Sequence, residues 1–294
     1  MKSKSKLNNK PSVLLWIVFA VLLVYALMII TLLLWGVVNS VKSPNEFRFS
    51  KIWFPKEGFA FDNYVTVWQD FSVRPKGTQL EIGLLQMIIN TLLYTFGSAF
   101  VMTACYCIMS YITAKYKYVF SKIVYSVVVI TMVVPIIGSA PATMDFLSKT
   151  HLLDTWVGNY IMKFNFLGMY FLVFYSMFKS LPNEFYEAAI IDGANEWQVF
   201  LRIMFPLVIP TFGTIFLIKF IEFWNDYQTP LLYLNTHPTL AYGVQSMATS
   251  GARGMSRVPM KLASCMIMML PILFMFIFLR NKIMGNVTMG GVKE

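Results

Sequence analysis

Charge is scarce in this chain of 294 residues: Asp, Glu, Lys and Arg supply 13% of it against 57% hydrophobic residues, and the mean hydropathy is +0.62. An ordinary soluble domain carries about a quarter of its residues as charges, so this balance excludes one and points to an integral membrane protein. Cysteine is scarcer still. Cys105 and Cys107 share one apolar run and Cys265 lies in another. Two residues apart on a helix point to different sides, so Cys105 and Cys107 make neither a disulfide nor a metal site. The two histidines, His151 and His237, stand apart from any cysteine or carboxylate at ligand spacing and read as loop residues. There is no GxxxxGK[ST] loop for nucleotide phosphates, no HExxH helix for zinc and no GxSxG elbow for a nucleophilic serine. If the chain moves a solute uphill, the energy comes from another subunit or an ion gradient.

What is present is a series of apolar runs. Each span needs about 20 residues to cross roughly 30 Å of hydrocarbon, and the runs predict six: 13–38, 84–110, 123–141, 161–178, 206–224 and 262–279. The first follows a basic N-terminus but is too long for a signal peptide and lacks a small-x-small cleavage site, so it reads as an uncleaved span. Lys2, Lys4, Lys6, Lys10, Lys115, Lys117, Lys122, Lys179, Arg202, Arg280, Lys282 and Lys293 fall on one side, which the positive-inside rule makes cytoplasmic, with both termini there. The net charge of +10 therefore reflects orientation in a membrane; basic residues interleaved with stacking aromatics, as nucleic acid would require, are not found. On the opposite side, 39–83 is rich in aromatics and prolines and reads as an ordered outer segment lying against the membrane surface.

One connection is unlike the others. Between the fourth and fifth spans, 180–205 carries Glu184, Glu187, Asp192 and Glu196, two adjacent alanines and a glycine. It divides into two short helices. Phe185, Ala188, Ala189 and Asp192 fall at i, i+3, i+4 and i+7, a narrow face that small side chains open to close approach. Asp192-Gly193 can turn the chain because glycine accepts a left-handed backbone. Asn195, with Gln198 three residues on, forms a capping box for the next helix, which runs through Trp197 and Phe200 into the fifth span. The acidic polar face would be repelled by an anionic leaflet, so a protein partner is expected on it.

This loop resembles the signature of permease subunits of binding-protein-dependent ABC importers: EAA, three residues, Gly, nine residues, then Ile-x-Leu-Pro. Glu187, Ala188, Ala189, Gly193, Ile203 and Pro206 stand in register, with Phe205 in place of the leucine. FIEFWNDYQTPLLY and the C-terminal stretch are similar to the carbohydrate-uptake branch. The end, 285–293, resembles the Gly-x-Thr-x-Gly-x-Val-Lys tail of the smaller permease of maltose-type importers, departing from the usual alanines at Met289 and Gly291.

The resemblance implies an all-α, type I importer permease fold in one transmembrane domain, with a cytoplasmic tail at 280–294. It also implies a second, different permease, two cytoplasmic ATPases, an extracytoplasmic solute-binding protein and a bacterial cell membrane. The chain would be no enzyme and bind no cofactor; ATP and Mg would belong to the ATPases. Glu187, Ala188, Ala189, Asp192, Gly193, Ile203 and Pro206 would form the ATPase joint. In the fifth span Lys219, Glu222 and Asp226, with Trp224, Asn225 and Tyr227, would either neutralise one another or line a sugar path. Tyr242, Gly243, Arg253 and Arg257 in the outer loop 235–259 would face the binding protein. The competing classes are a secondary transporter, which requires paired broken helices that are not found, and a non-transporting membrane scaffold. The predicted orientation is tested by cysteine labelling of intact cells: a cysteine at position 60 or 250 is expected to react with an impermeant reagent, one at 117 or 190 to be spared, and labelling at 190 reverses the topology.

Overall fold

The computed structural model describes residues 13–49, 53–75, 79–116, 118–134, 138–250 and 257–287. Hydrocarbon offers no partner to backbone N–H and C=O groups, so the apolar runs close their hydrogen bonds within themselves as helices. The order is α1 (Val13–Ser40), α2 (Pro44–Phe49), α3 (Asp62–Asp70), α4 (Leu84–Lys115), α5 (Val119–Val133), α6 (Ser139–Lys149), α7 (Trp156–Lys163), α8 (Met169–Ser180), α9 (Glu184–Ile191), α10 (Glu196–Val199), a π-helical turn (Phe200–Met204), α11 (Phe205–Trp224), α12 (Gln228–Tyr233), α13 (Leu240–Ser250) and α14 (Val258–Val287). Among the described residues, sheet is confined to one antiparallel ribbon, β1 (Ser72–Val73) and β2 (Ile82–Gly83), pairing Ser72 with Gly83 and Val73 with Ile82.

α4 is the mast around which the rest is hung. The half of α4 expected on the outside shares one core, called the outer core, with Val67, Phe71, Met87, Tyr94, Phe223 and Trp224; its other half shares a second, the inner core, with Tyr111, Phe171, Phe174, Phe178, Val199 and Phe200. Cys107 lies in the second core, and Cys105 is buried beside it. Polar side chains on α4 set the neighbours' heights. Thr91 Oγ1 accepts from Leu240 N at 2.8 Å, Asn90 Nδ2 donates to Pro238 O at 3.1 Å, Ser98 Oγ accepts from Asn159 Nδ2 at 3.1 Å, and Ser110 Oγ donates to Phe171 O at 2.8 Å. α1, by contrast, exposes nearly all its apolar surface and is buried only in its last turn, at Gly36, Asn39 and Ser40.

Among the described residues, three helices are long and apolar enough to cross a membrane: Val13–Ser40, Leu84–Lys115 and the continuous stretch Glu196–Trp224. The remaining predicted runs have other bounds. The run 123–141 is a helix ending at Val133. A new helix opens after Gly138 (φ 81°), with Pro141 in its first turn, where a missing N–H costs nothing. The run 161–178 is broken between α7 and α8: Leu167 N donates to Asn165 Oδ1 at 2.8 Å and Gly168 takes φ 141°. α8 alone, twelve residues, is roughly 18 Å long. The second span extends past 110 to Lys115.

The segment 39–83 is ordered where described. Asn63 Nδ2 donates to Ser40 O and Lys42 O, both at 2.8 Å, Tyr64 and Ser40 hydroxyls meet at 2.7 Å, and Phe71 enters the outer core. α13 closes over that core through Gly243, where an added Cβ would lie 2.8 Å from the Met87 sulfur and 3.1 Å from the Phe71 ring. Gly243→Val is therefore expected to destabilise the protein by overpacking, about 1–3 kcal/mol, read as a lowered thermal midpoint in detergent; an unchanged midpoint contradicts the packing.

Candidate functional site

The chain leaves α8 at Ser180, and Pro182 precedes the Asn183 cap of α9. Gly193 then turns it at φ 80°, and no atom lies within 4 Å of where a Cβ would sit, so backbone conformation alone demands glycine there. The capping box forms in both directions: Gln198 N donates to Asn195 Oδ1, and Asn195 N to Gln198 Oε1, each at 2.9 Å. α10 passes without a break into the π-helical turn that holds Ile203, and Pro206 sits at the start of α11. Pro206 has no N–H to give to the carbonyl of Arg202, four residues earlier, so the α-helical ladder is interrupted where the π turn occurs.

This joint is tied to the end of α4. The Glu196 carboxylate accepts from Tyr186 Oη at 2.6 Å and from Tyr116 Oη, while Lys115 Nζ donates to Leu181 O at 2.9 Å and to Asn183 Oδ1 at 3.1 Å. The hydrogen bond to Glu196 pushes the Tyr186 phenol up to about 12, so it remains a donor throughout the physiological range. Glu196 stands out in the sequence as one of the loop's acids, but Tyr116 and Tyr186 do not; the Tyr116 contact joins residues 80 apart in the chain, which no local pattern carries.

Of the predicted joint residues, Glu187, Ala188, Asp192 and Pro206 are exposed, Gly193 makes the turn and Ile203 is half-buried. Ala189 is not on the open face. It is 5% exposed and packs into the inner core with Tyr111, Val199 and Phe200. The outward face of α9 is instead Glu184, Glu187, Ala188 and Ile191, one residue earlier in register, with Ile191 84% exposed. No ion pair among the described residues engages Glu187.

A second polar site lies at the other end of α11. Lys219 Nζ meets Glu222 Oε2 at 2.7 Å and sits 5.2 Å from the Tyr170 ring centroid. Asp226 turns away from that pair: its Oδ2 accepts from Tyr94 Oη at 2.6 Å and stands 4.0 Å from Lys163 Nζ, and its Oδ1 accepts from Thr229 N at 3.1 Å. Lys163 lies 4.4 Å from the Phe223 ring centroid. Trp224 is buried, donating to Met268 O at 3.1 Å, so it packs against α14 instead of lining a path. Asn225 is exposed and Tyr227 half-buried. Sequence reasoning missed Lys163, Tyr94 and Tyr170, which reach this site from other helices.

In the outer loop the prediction needs correction. Tyr242 and Gly243 are buried against α4 and cannot meet a partner as they stand. Arg257 is exposed, and Arg253 lies outside the described residues, as do 288–294 of the tail. His237 is not isolated: Nδ1 is 3.5 Å from Asp154 Oδ1, and Asp154 also accepts from Thr236 N and Oγ1 at 2.9 and 2.7 Å, pinning 154 to 236. His151 sits in a turn at φ 56°.

Membrane-length apolar helices, a capped joint leading into one of them and charged side chains farther along the same helix form an arrangement that known proteins share. The crystal structure of a bacterial ABC transporter that imports the acidic polysaccharide alginate has a chain superposing with a TM-score of 0.69 at 21% identity, over 96% of this chain and 98% of that one. Residues 107–283 match the family, and the chain belongs to it: the inner membrane components of binding-protein-dependent transport systems. Among curated relatives, the diacetylchitobiose uptake system permease NgcG of Streptomyces coelicolor is 24% identical over 92% of this chain and 86% of its own length. The arabinooligosaccharide transport permease AraQ of Bacillus subtilis is 26% identical over 80% and 79%.

The inward turn of Ala189 has a direct test. Ala189→Leu is expected to overpack the inner core, at about 1–3 kcal/mol, and to lower the thermal midpoint; Ala188→Leu, on the open face, leaves it unchanged. Equal effects from the two would contradict this orientation of α9.

Proposed function

We propose that this chain pairs with a second, different permease to form the membrane path for an oligosaccharide delivered by an extracytoplasmic binding protein, driven by two separate cytoplasmic ATPases. ATP and Mg belong to those ATPases; this chain is a translocation subunit without a cofactor of its own. The observation that carries the reading is the α9–α10 joint. It presents on one face a Glu187 carboxylate that no ion pair among the described residues engages, a small side chain at Ala188 and an exposed Ile191, while Glu196, Tyr116 and Lys115 anchor its other side to α4. An apolar and acidic helical face outside the bilayer fits a cleft in a protein partner. The carbohydrate substrate is supported by the relatives named for diacetylchitobiose and arabinooligosaccharides. In this reading, six crossings with both termini cytoplasmic would put the joint on the ATPase side and the loop bearing Arg257 on the side of the binding protein.

Purification in mild detergent tests the reading. The wild-type chain is expected to bring out a second permease and an ATPase. Ile191→Asp, which sets a charge into the docking face, is expected to lose most of the ATPase and keep the second permease. Gly193→Val, strained by about 1–2 kcal/mol at a left-handed position, is expected to keep the ATPase and lose uptake. Normal ATPase retention and normal uptake in both variants would remove the joint from coupling.

A further inference from the structure

The charges at the far end of α11 are not equally accessible. Lys219, Lys163 and Asp226 have side chains 9%, 13% and 20% exposed, while Glu222 is 56% exposed. Each ammonium already has a carboxylate partner and an aromatic face: Lys219 has Glu222 and Tyr170, Lys163 has Asp226 and Phe223. Two cations and two anions sum to zero, and the group that meets the outside is the anion.

An exposed carboxylate in the last turn of a membrane-length helix does not face lipid; it faces a partner or water. Glu222 itself reaches toward Lys219, and beside it Ile221 and Asn225 line, with Cys265, Met268 and Ile272, a cavity of about 340 Å³ between α11 and α14. We propose that Glu222 is a charge gate at the outer mouth of the path, which admits neutral saccharides and turns away anionic ones such as uronic-acid oligomers. This inference rests on the sugar-permease reading and narrows its substrate class. Neutral hydroxyls can donate to the free Glu222 oxygen, whereas a second carboxylate arriving there is repelled and finds, in this cluster, no cation that is not already engaged.

The gate is tested in the assembled complex without knowing the substrate. Cys265→Ser removes the native thiol of the cavity, and Asn225→Cys places a reporter one helical turn from Glu222. Its rates of modification by a cationic and an anionic methanethiosulfonate of similar size are then compared. The cationic reagent is expected to react faster, by at most about fivefold, the scale of one unpaired short-range charge in water, since Lys219 offsets part of it, and the ratio to fall to one or below in Glu222→Gln. Equal rates, or a faster anion, with Glu222 present would overturn the charge gate and leave the permease reading standing. No reaction with either reagent would mean that the partner subunit covers this face, which overturns the gate's place in the path. If Glu222→Gln does not assemble, the ratio with Glu222 intact decides alone. A chain that brings out no ATPase fails the proposed function, and that outcome is read separately in the copurification.

Discussion

A hydrogen-bonding group buried on α4 must find its partner inside the protein, because neither lipid nor an apolar core provides one. That requirement orders the molecule. Asn90 and Thr91 fix the chain at Pro238 and Leu240, Ser98 fixes α7 through Asn159, and Ser110 fixes the start of α8 through Phe171. Single interhelical hydrogen bonds in membranes contribute only about 0.6 kcal/mol on average. Their value here is positional. Apolar packing between helices tolerates sliding, and polar contacts at three heights along one helix do not.

Because α4 extends beyond the second predicted span to Lys115, the same helix that organises the outer core also holds the joint. Lys115 and Tyr116 reach α9 and α10 directly, and Tyr111 packs against Phe200 with the rings tilted and their centroids 4.9 Å apart. A push on α9 is therefore delivered to α4 and, through the π turn, to α11 together. The inner core of closely packed aromatics has little room to absorb such a displacement locally, since packed interiors transmit strain. A loop hinged only at its two ends would dissipate the same push.

The sequence was readable where the physics is local. The capping box at Asn195 and Gln198 and the turn at Gly193 depend on residues a few positions apart, and the structure has both. Long uniform runs such as 13–38 also announced themselves. Apolar composition alone did not reveal that α7 and α8 are separate, because the break rests on Asn165 and Gly168, polar and small residues inside an otherwise apolar window. The face of α9 came out one residue off for a related reason. Alanine is equally at home toward a partner and toward a core, so Ala188 and Ala189 could not be told apart until Tyr111, Val199 and Phe200 were placed behind Ala189. Tyr242 and Gly243 lie in the polar stretch 235–259 that the family resemblance turns toward a binding protein, but Thr91 draws that stretch back onto α4.

Stability does not account for the charges of α11. Replacing a buried ion pair with well-packed apolar groups is often neutral or stabilising, so a pair such as Lys163 and Asp226 is weak evidence of structural need. Lys163 is held by two aromatic rings and one carboxylate, and that carboxylate is in turn held by Tyr94 and Thr229. Such an arrangement fixes the position of Asp226. Lys219 acts in the same way on Glu222, except that Glu222 remains open on one side. Buried cations that steady carboxylates, one of them accessible, form a surface whose charge is set in advance and needs no rearrangement when a solute arrives.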